Sequence, residues 1–156
     1  GAAGEVAIRG ANVTRGYLRN PEATAAAFTN GWFRTGDQGS IDAEGYIFLH
    51  GRIKELINRG GEKITPMEID DVLLRHPAVA EAVAIGVPHP VYGEEVEAVV
   101  ALKPGHHASA EDLIAFAREH LADFKVPKAI RFVPQIPRGA TGKIQRRRLL
   151  ELLDGR

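Results

Sequence analysis

Residues 65–105 read TPMEIDDVLLRHPAVAEAVAIGVPHPVYGEEVEAVVALKPG, a helix start followed by two apolar runs. Pro66 suits a first helical position, Thr65 can cap that end, and Glu68 can reach back to the capping backbone. Ile69, Val72 and Leu73 then share one face, and His76-Pro77 stops the helix because a residue before proline disfavours helical angles. Residues 78–88, AVAEAVAIGVP, read as a largely buried strand, and residues 94–105, EEVEAVVALKPG, as its antiparallel neighbour, with HPVYG joining them.

Downstream, Ser109 and Asp112 form a second capping pair, and Leu113, Phe116, Ala117 and Leu121 repeat with helical period up to Lys125-Val126-Pro127. A short strand is expected over 129–133. Residues 134–142, PQIPRGATG, form a loop, and 145–153, QRRRLLELL, a closing helix. From Glu68 onward helices and strands alternate, which predicts an α+β domain: a small mixed sheet flanked by helices. Upstream the chain is β-rich. Residues 4–10, GEVAIRG, alternate like a strand whose neighbours lie elsewhere, and a short helix is expected after Asn20-Pro21. In residues 31–52, GWFRTGDQGSIDAEGYIFLHGR, a DAEG turn separates two strands.

The composition excludes several classes. The chain has 156 residues, 44% of them apolar, enough for one ordinary domain or a small domain with a flanking piece. Twenty basic residues balance twenty acidic ones, so no global field points to nucleic acid or an acidic membrane. No apolar run approaches the roughly eighteen residues of a membrane span. Cysteine is absent, which removes disulfides and thiolate chemistry and suits a reducing compartment; the cytoplasm is the expected location. His106 and His107 are adjacent and point apart, so no metal site is expected. The only serines, Ser40 and Ser109, lie in no nucleophile elbow. GGEK and ATGK lack the full spacing of a phosphate-binding Walker loop.

Three ordered blocks carry chemistry: GWFRTGD at 31–37, GRIKELINRGGEKITP at 51–66 and PRGATGKIQRRR at 137–148. Asp37, after a glycine and a strand, can accept two hydrogen bonds from the vicinal hydroxyls of a ribose; a turn aspartate bonding its own backbone is the plain alternative. Arg52 offers a planar fork to ribose or phosphate oxygens, or is an ordinary surface arginine. Gly60-Gly61 lets backbone approach a slender ligand, or makes a simple β-turn. Lys143, in a loop rich in glycine and proline, can present an ammonium away from its own domain, or is a solvated lysine. Residues 125–148 hold eight Lys or Arg and no Asp or Glu. A solvated helix face, a site for ligand phosphates and a nucleic-acid surface are the possible readings, in that order; the last lacks an aromatic platform.

Taken together the blocks resemble the carboxyl-terminal third of the acyl-CoA synthetases, AMP-forming acid–CoA ligases of the adenylate-forming superfamily, over nearly the whole chain. The resemblance implies an ATP-dependent ligase that makes an acyl-adenylate from a carboxylic acid and then passes the acyl group to CoA, with ATP, Mg2+ and CoA as its substrates. It implies residues 1–52 as the end of a large adenylate-binding domain and 53–156 as a mobile lid that packs on the missing body. Lys143 would be the adenylation lysine, and Asp37, Arg52 and Lys54 would contact the nucleotide. Lys54 would also be the hinge on which the lid alternates between two poses. Gly60 and Gly61 would line the CoA path, with Asn58 and Lys63 as adenylate-facing candidates.

GRIKELINRGGEKITP followed by GKIQRRR is most similar to small- and medium-acid ligases, including oxalate-type members, and to bacterial fatty-acyl ligases. Amino-acid-activating domains usually carry aspartate at the hinge, which disfavours a carrier-protein acceptor. The family's phosphate loop and acid pocket lie upstream of these residues, so Gly1 is expected to mark a truncation and the chain alone to be inactive. The opposing class is a regulatory or adaptor module that kept the fold without the chemistry. Asp37, Arg52 and Lys143 argue against it, since a scaffold needs none of them.

Overall fold

The computed structural model describes residues 2–154. The chain divides into two compact units, one ending at Lys54 and one beginning at Glu55. The first unit is a four-stranded antiparallel sheet centred on the long strand β3, Trp32–Ile41. Strand β1, Gly4–Ile8, and the two-residue β2, Phe28–Thr29, both pair with β3. So does β4, Ile47–Arg52, across the turn that holds the DAEG residues. Asp42 closes that turn by accepting from the Glu44 and Tyr46 amides. Helix α1, Pro21–Ala27, starts where Asn20 accepts from the Ala23 amide. The neighbour sought for β1 is therefore within the chain, in a pairing that spans some thirty residues and leaves no local trace. Among the described residues of this unit only Gly39 is buried.

The second unit holds the core. Strands β5, Ile57–Arg59, and β6, Glu62–Ile64, form a tight hairpin, followed by helix α2, Pro66–Leu74. Strands β7, Val79–His89, and β8, Gly93–Leu102, pair antiparallel along their whole length. After helix α3, Ala110–His120, strand β9, Ala129–Phe132, joins β8 in parallel, so the five-stranded sheet is mixed. Helix α4 is Arg146–Asp154. The continuous apolar character of β7 and β8 follows from burial on both faces. Ala82, Ala84, Val96, Ala98 and Val100 face Ile69, Leu73, Leu113 and Ala117 of α2 and α3. Val83, Ile85 and Val99 turn the other way onto Ile136 and Leu149. Strand β7 lies at the sheet edge.

Several local expectations need correction. Ser109 and Asp112 do form a reciprocal capping box, but Thr65 makes no side-chain cap. The Glu68 carboxylate is held instead by Lys125, at 2.7 and 2.8 Å, a partner that folding alone brings near. Helix α3 stops at His120 rather than continuing to Lys125; Leu121 is extended and a 3-10 turn over Asp123–Lys125 reverses the chain toward β9. The Gly60-Gly61 segment is the turn of a true two-stranded hairpin, with φ of 58° and 99°, as such a turn requires. An isolated bridge pairs Arg138 of the 134–142 loop with Ile144 just beyond it. No described helix is long and apolar enough to cross a membrane.

Candidate functional site

In the first unit Asp37 and Arg52 sit opposite each other on β3 and β4. Arg52 Nε lies 2.9 Å from Asp37 Oδ1, and its Nη1 donates to the Thr35 carbonyl at 2.8 Å. Thr35 fixes the same corner from the other side: its hydroxyl donates to the Val6 carbonyl at 2.7 Å and accepts from the Asp37 amide at 3.0 Å. Both charged side chains remain partly exposed, 29% for Asp37 and 56% for Arg52. The result is a carboxylate of fixed orientation at the surface. Beside it a cleft of about 540 Å³ is lined by Tyr17, Arg34, Gly36, Arg52 and Lys54, with Glu5 at its wall. Hydrogen bonding from Arg34 holds the Glu5 carboxyl below its ordinary range, with the Gly36 amide assisting and desolvation opposing.

In the second unit, Gly60 and Gly61 form the tip of the β5–β6 hairpin, and the Gly60 amide donates to the Tyr92 carbonyl at 2.8 Å. Side chains not singled out from the sequence gather here. The Arg59 guanidinium lies 4.2 Å from the Tyr92 ring centre and pairs with Glu95 at 2.7 Å, while His89 stacks on Tyr92. Burial pushes the Glu95 carboxyl up, but Arg59 and the Val96 amide outweigh it, and the net shift is downward. Asn58 and Lys63 pair across the hairpin and are exposed.

Lys143 is exposed on one limb of a hook-shaped loop. The hook closes through the Gly139 amide, which donates to the Lys143 carbonyl at 2.9 Å, and through the Arg138–Ile144 bridge. Arg138 pins one limb to Glu81 of β7. No described ion pair holds the Lys143 ammonium, in contrast to most of the basic run around it. Lys125 pairs with Glu68, Arg131 with Glu97, Arg138 with Glu81, Arg146 with Asp70 and Glu55, and Arg148 with Glu151. The run is thus neither a bare solvated face nor an open anion surface; its neutralising carboxylates come mainly from other elements. Among the described residues no three His, Asp or Glu side chains cluster as a metal site.

This α+β fold is shared with known enzymes. Residues 68–143 match the AMP-binding enzyme C-terminal domain. Residues 68–143 thus form the C-terminal domain of an AMP-binding enzyme, and the chain as a whole is similar to the carboxyl-terminal part of CoA ligases. It is 54% identical over 153 residues to an oxalate–CoA ligase of Saccharomyces cerevisiae, an alignment covering 97% of this chain and 28% of that relative. It is 56% identical over 144 residues to an oxalate–CoA ligase of Arabidopsis thaliana, covering 92% and 28%. The fold is also that of ATP-bound MatB from Rhodopseudomonas palustris, with TM-score 0.90 and 39% identity over 97% of this chain and 30% of that one. The chain thus spans less than a third of the length of these relatives.

Proposed function

We propose that this chain is the carboxyl-terminal part of a cytoplasmic acid–CoA ligase. A carboxylic acid attacks the α-phosphate of ATP, giving acyl-AMP and pyrophosphate. The CoA thiol then attacks the acyl carbonyl, forming the thioester and releasing AMP. The observation that carries the reading is the exposed Lys143 ammonium, held on a hook that its own domain does not neutralise. During the first step negative charge grows on the phosphoryl oxygens and the leaving pyrophosphate, and a preorganised cation there lowers the barrier.

Asp37 accepts hydrogen bonds from the ribose hydroxyls in this scheme; Arg52 orients it and, with Lys54, contacts the nucleotide. Lys54, next to the division between the two units, is the hinge. Residues 1–52 complete a larger adenylate-binding domain and 53–156 form the lid. Gly60 and Gly61 line the CoA path in the second pose, and Asn58 and Lys63 face the adenylate. The open sheet of the first unit leaves Ile41, Ile47, Phe48 and Leu49 more than half exposed, which supports a larger body packing there.

A carboxylic-acid panel on the complete protein, scored by CoA-dependent AMP release, tests the proposal. Oxalate is the first acid to try, given the relatives above. The absence of both AMP release and ATP–pyrophosphate exchange with every acid would remove it. A non-catalytic adaptor is disfavoured, because it has no use for the Asp37–Arg52 geometry or the unneutralised Lys143.

A further inference from the structure

The scheme above leaves the Arg146 guanidinium without a task, although it is only 13% exposed and bonded on every side. Its Nη2 donates to Asp70 Oδ2 at 2.7 Å and its Nη1 to Asp70 Oδ1 at 3.3 Å. Nη1 also donates to the Ala84 carbonyl, and Nε to Glu55 Oε2 at 3.2 Å. Asp70 in turn accepts from the Ala84 amide. Ala84 lies on the edge strand β7, so Arg146 and Asp70 together satisfy the outward C=O and N–H of one residue, which no neighbouring strand can reach.

Its place in the chain gives the clamp its meaning. Arg146 is the first residue of α4 and follows Lys143 by three residues, a reach of about 10 Å. The other limb of the hook is held by Arg138 on Glu81. Both limbs therefore hang from β7, at Glu81 and at Ala84. Glu55, the second carboxylate that accepts from Arg146, directly follows Lys54 in sequence. Packing of α4 does not need the charge, since Leu149 joins the apolar cluster of Val83, Ile85, Val99 and Ile136. A buried ion pair is often replaceable by apolar groups without loss of stability, so a clamp of fixed geometry points to orientation.

We propose that Arg146 is a positioning residue for adenylation: its clamp on Asp70, Ala84 and Glu55 sets the base of the hook that presents Lys143 and ties it to Glu55, the residue after Lys54. The inference rests on the role given to Lys143 above. The decisive variant is Arg146→Lys in the complete ligase, which keeps a cation beside Asp70 but cannot bond to all three partners at once. Misplacing a reacting group by about 1 Å costs on the order of a hundredfold. ATP–pyrophosphate exchange should fall by roughly ten- to a hundredfold, mainly in kcat, while thioester formation from supplied acyl-adenylate changes less than about threefold. In a Lys143→Ala background the same substitution should cause no further loss of exchange, because the group it places is gone.

Equal loss in both half-reactions, or a loss that multiplies with that of Lys143→Ala, overturns the inference. So does wild-type exchange in a folded variant. If Arg146→Lys does not fold, Glu55→Gln removes one arm at a one-third exposed carboxylate and should give the same selective loss, smaller in size; an unselective loss or none is again fatal. Failure of the functional reading is separate: the wild-type protein then shows no exchange at all, or Lys143→Ala leaves it intact.

Discussion

Lys143 and Arg146 are three residues apart, yet one side chain is exposed and the other is part-buried between two carboxylates. Lys143→Ala in the complete protein should lower the adenylation half-reaction about a hundredfold or more while thioester formation from preformed acyl-adenylate is retained; equal loss of both steps would refute its assignment. Arg146 makes a prediction about pH. Burial pushes the Asp70 carboxyl above its ordinary range, with Arg146 and the Ala84 amide opposing. A carboxyl raised in the folded state holds its proton more tightly there than in the unfolded chain, so its contribution to stability is lost as pH rises through the folded value. Arg146→Met removes the main opposing charge and should widen that decline, reaching about 3–5 kcal/mol of destabilisation near neutrality. Denaturant unfolding from about pH 4 to 7 reads the effect; a deficit independent of pH would show that Asp70 is not its source. The sequence pointed to Lys143 through its motif but gave no sign that Arg146 is a clamp, because a run of basic residues looks the same whether its carboxylates are near or absent.

Two helix starts with the same apparent signature behave differently. At α3 the Ser109 hydroxyl accepts from the Asp112 amide at 3.1 Å and the Asp112 carboxylate accepts from the Ser109 amide at 3.0 Å. At α2, Thr65 makes no such bond. Ser109→Ala should therefore cost about 1 kcal/mol in thermal or denaturant unfolding, and Thr65→Ala less than about 0.5 kcal/mol. The difference was not legible locally, since Glu68 is drawn away by Lys125, fifty-seven residues on. The β5–β6 hairpin turn offers a further test. Gly60 has φ of 58°, and a Cβ there would lie 3.3 Å from the Tyr92 ring. Gly60→Ala should destabilise by roughly 1–2 kcal/mol, the penalty for a left-handed residue bearing a side chain. An unchanged melting temperature would mean that the turn relaxes.

At the scale of the whole molecule, the second unit has a two-sided core, whereas the first has a single buried residue, Gly39, among those described. The sheet of the first unit shows apolar side chains to solvent, with Ile47 56% and Leu49 59% exposed. The isolated 156-residue chain is expected to give no ATP–pyrophosphate exchange, and the complete protein to give it; exchange by the chain alone would mean that the remaining residues of its larger relatives are dispensable for adenylation. Local and periodic features were readable from the residues themselves: the α2, β7, β8 and α3 elements, the Ser109 cap, and the ordered motifs that led to the ligase family. Such features depend on neighbours a few positions away, and a linear pattern records them. The tertiary structure alone decided which distant partners meet. It set β1 against β3, β9 parallel to β8, Arg52 onto Asp37, and Arg146 onto Asp70 and Glu55. Those pairings arise when a sheet closes and desolvates particular charges, and the energy of each depends on a geometry that no spacing along the chain specifies.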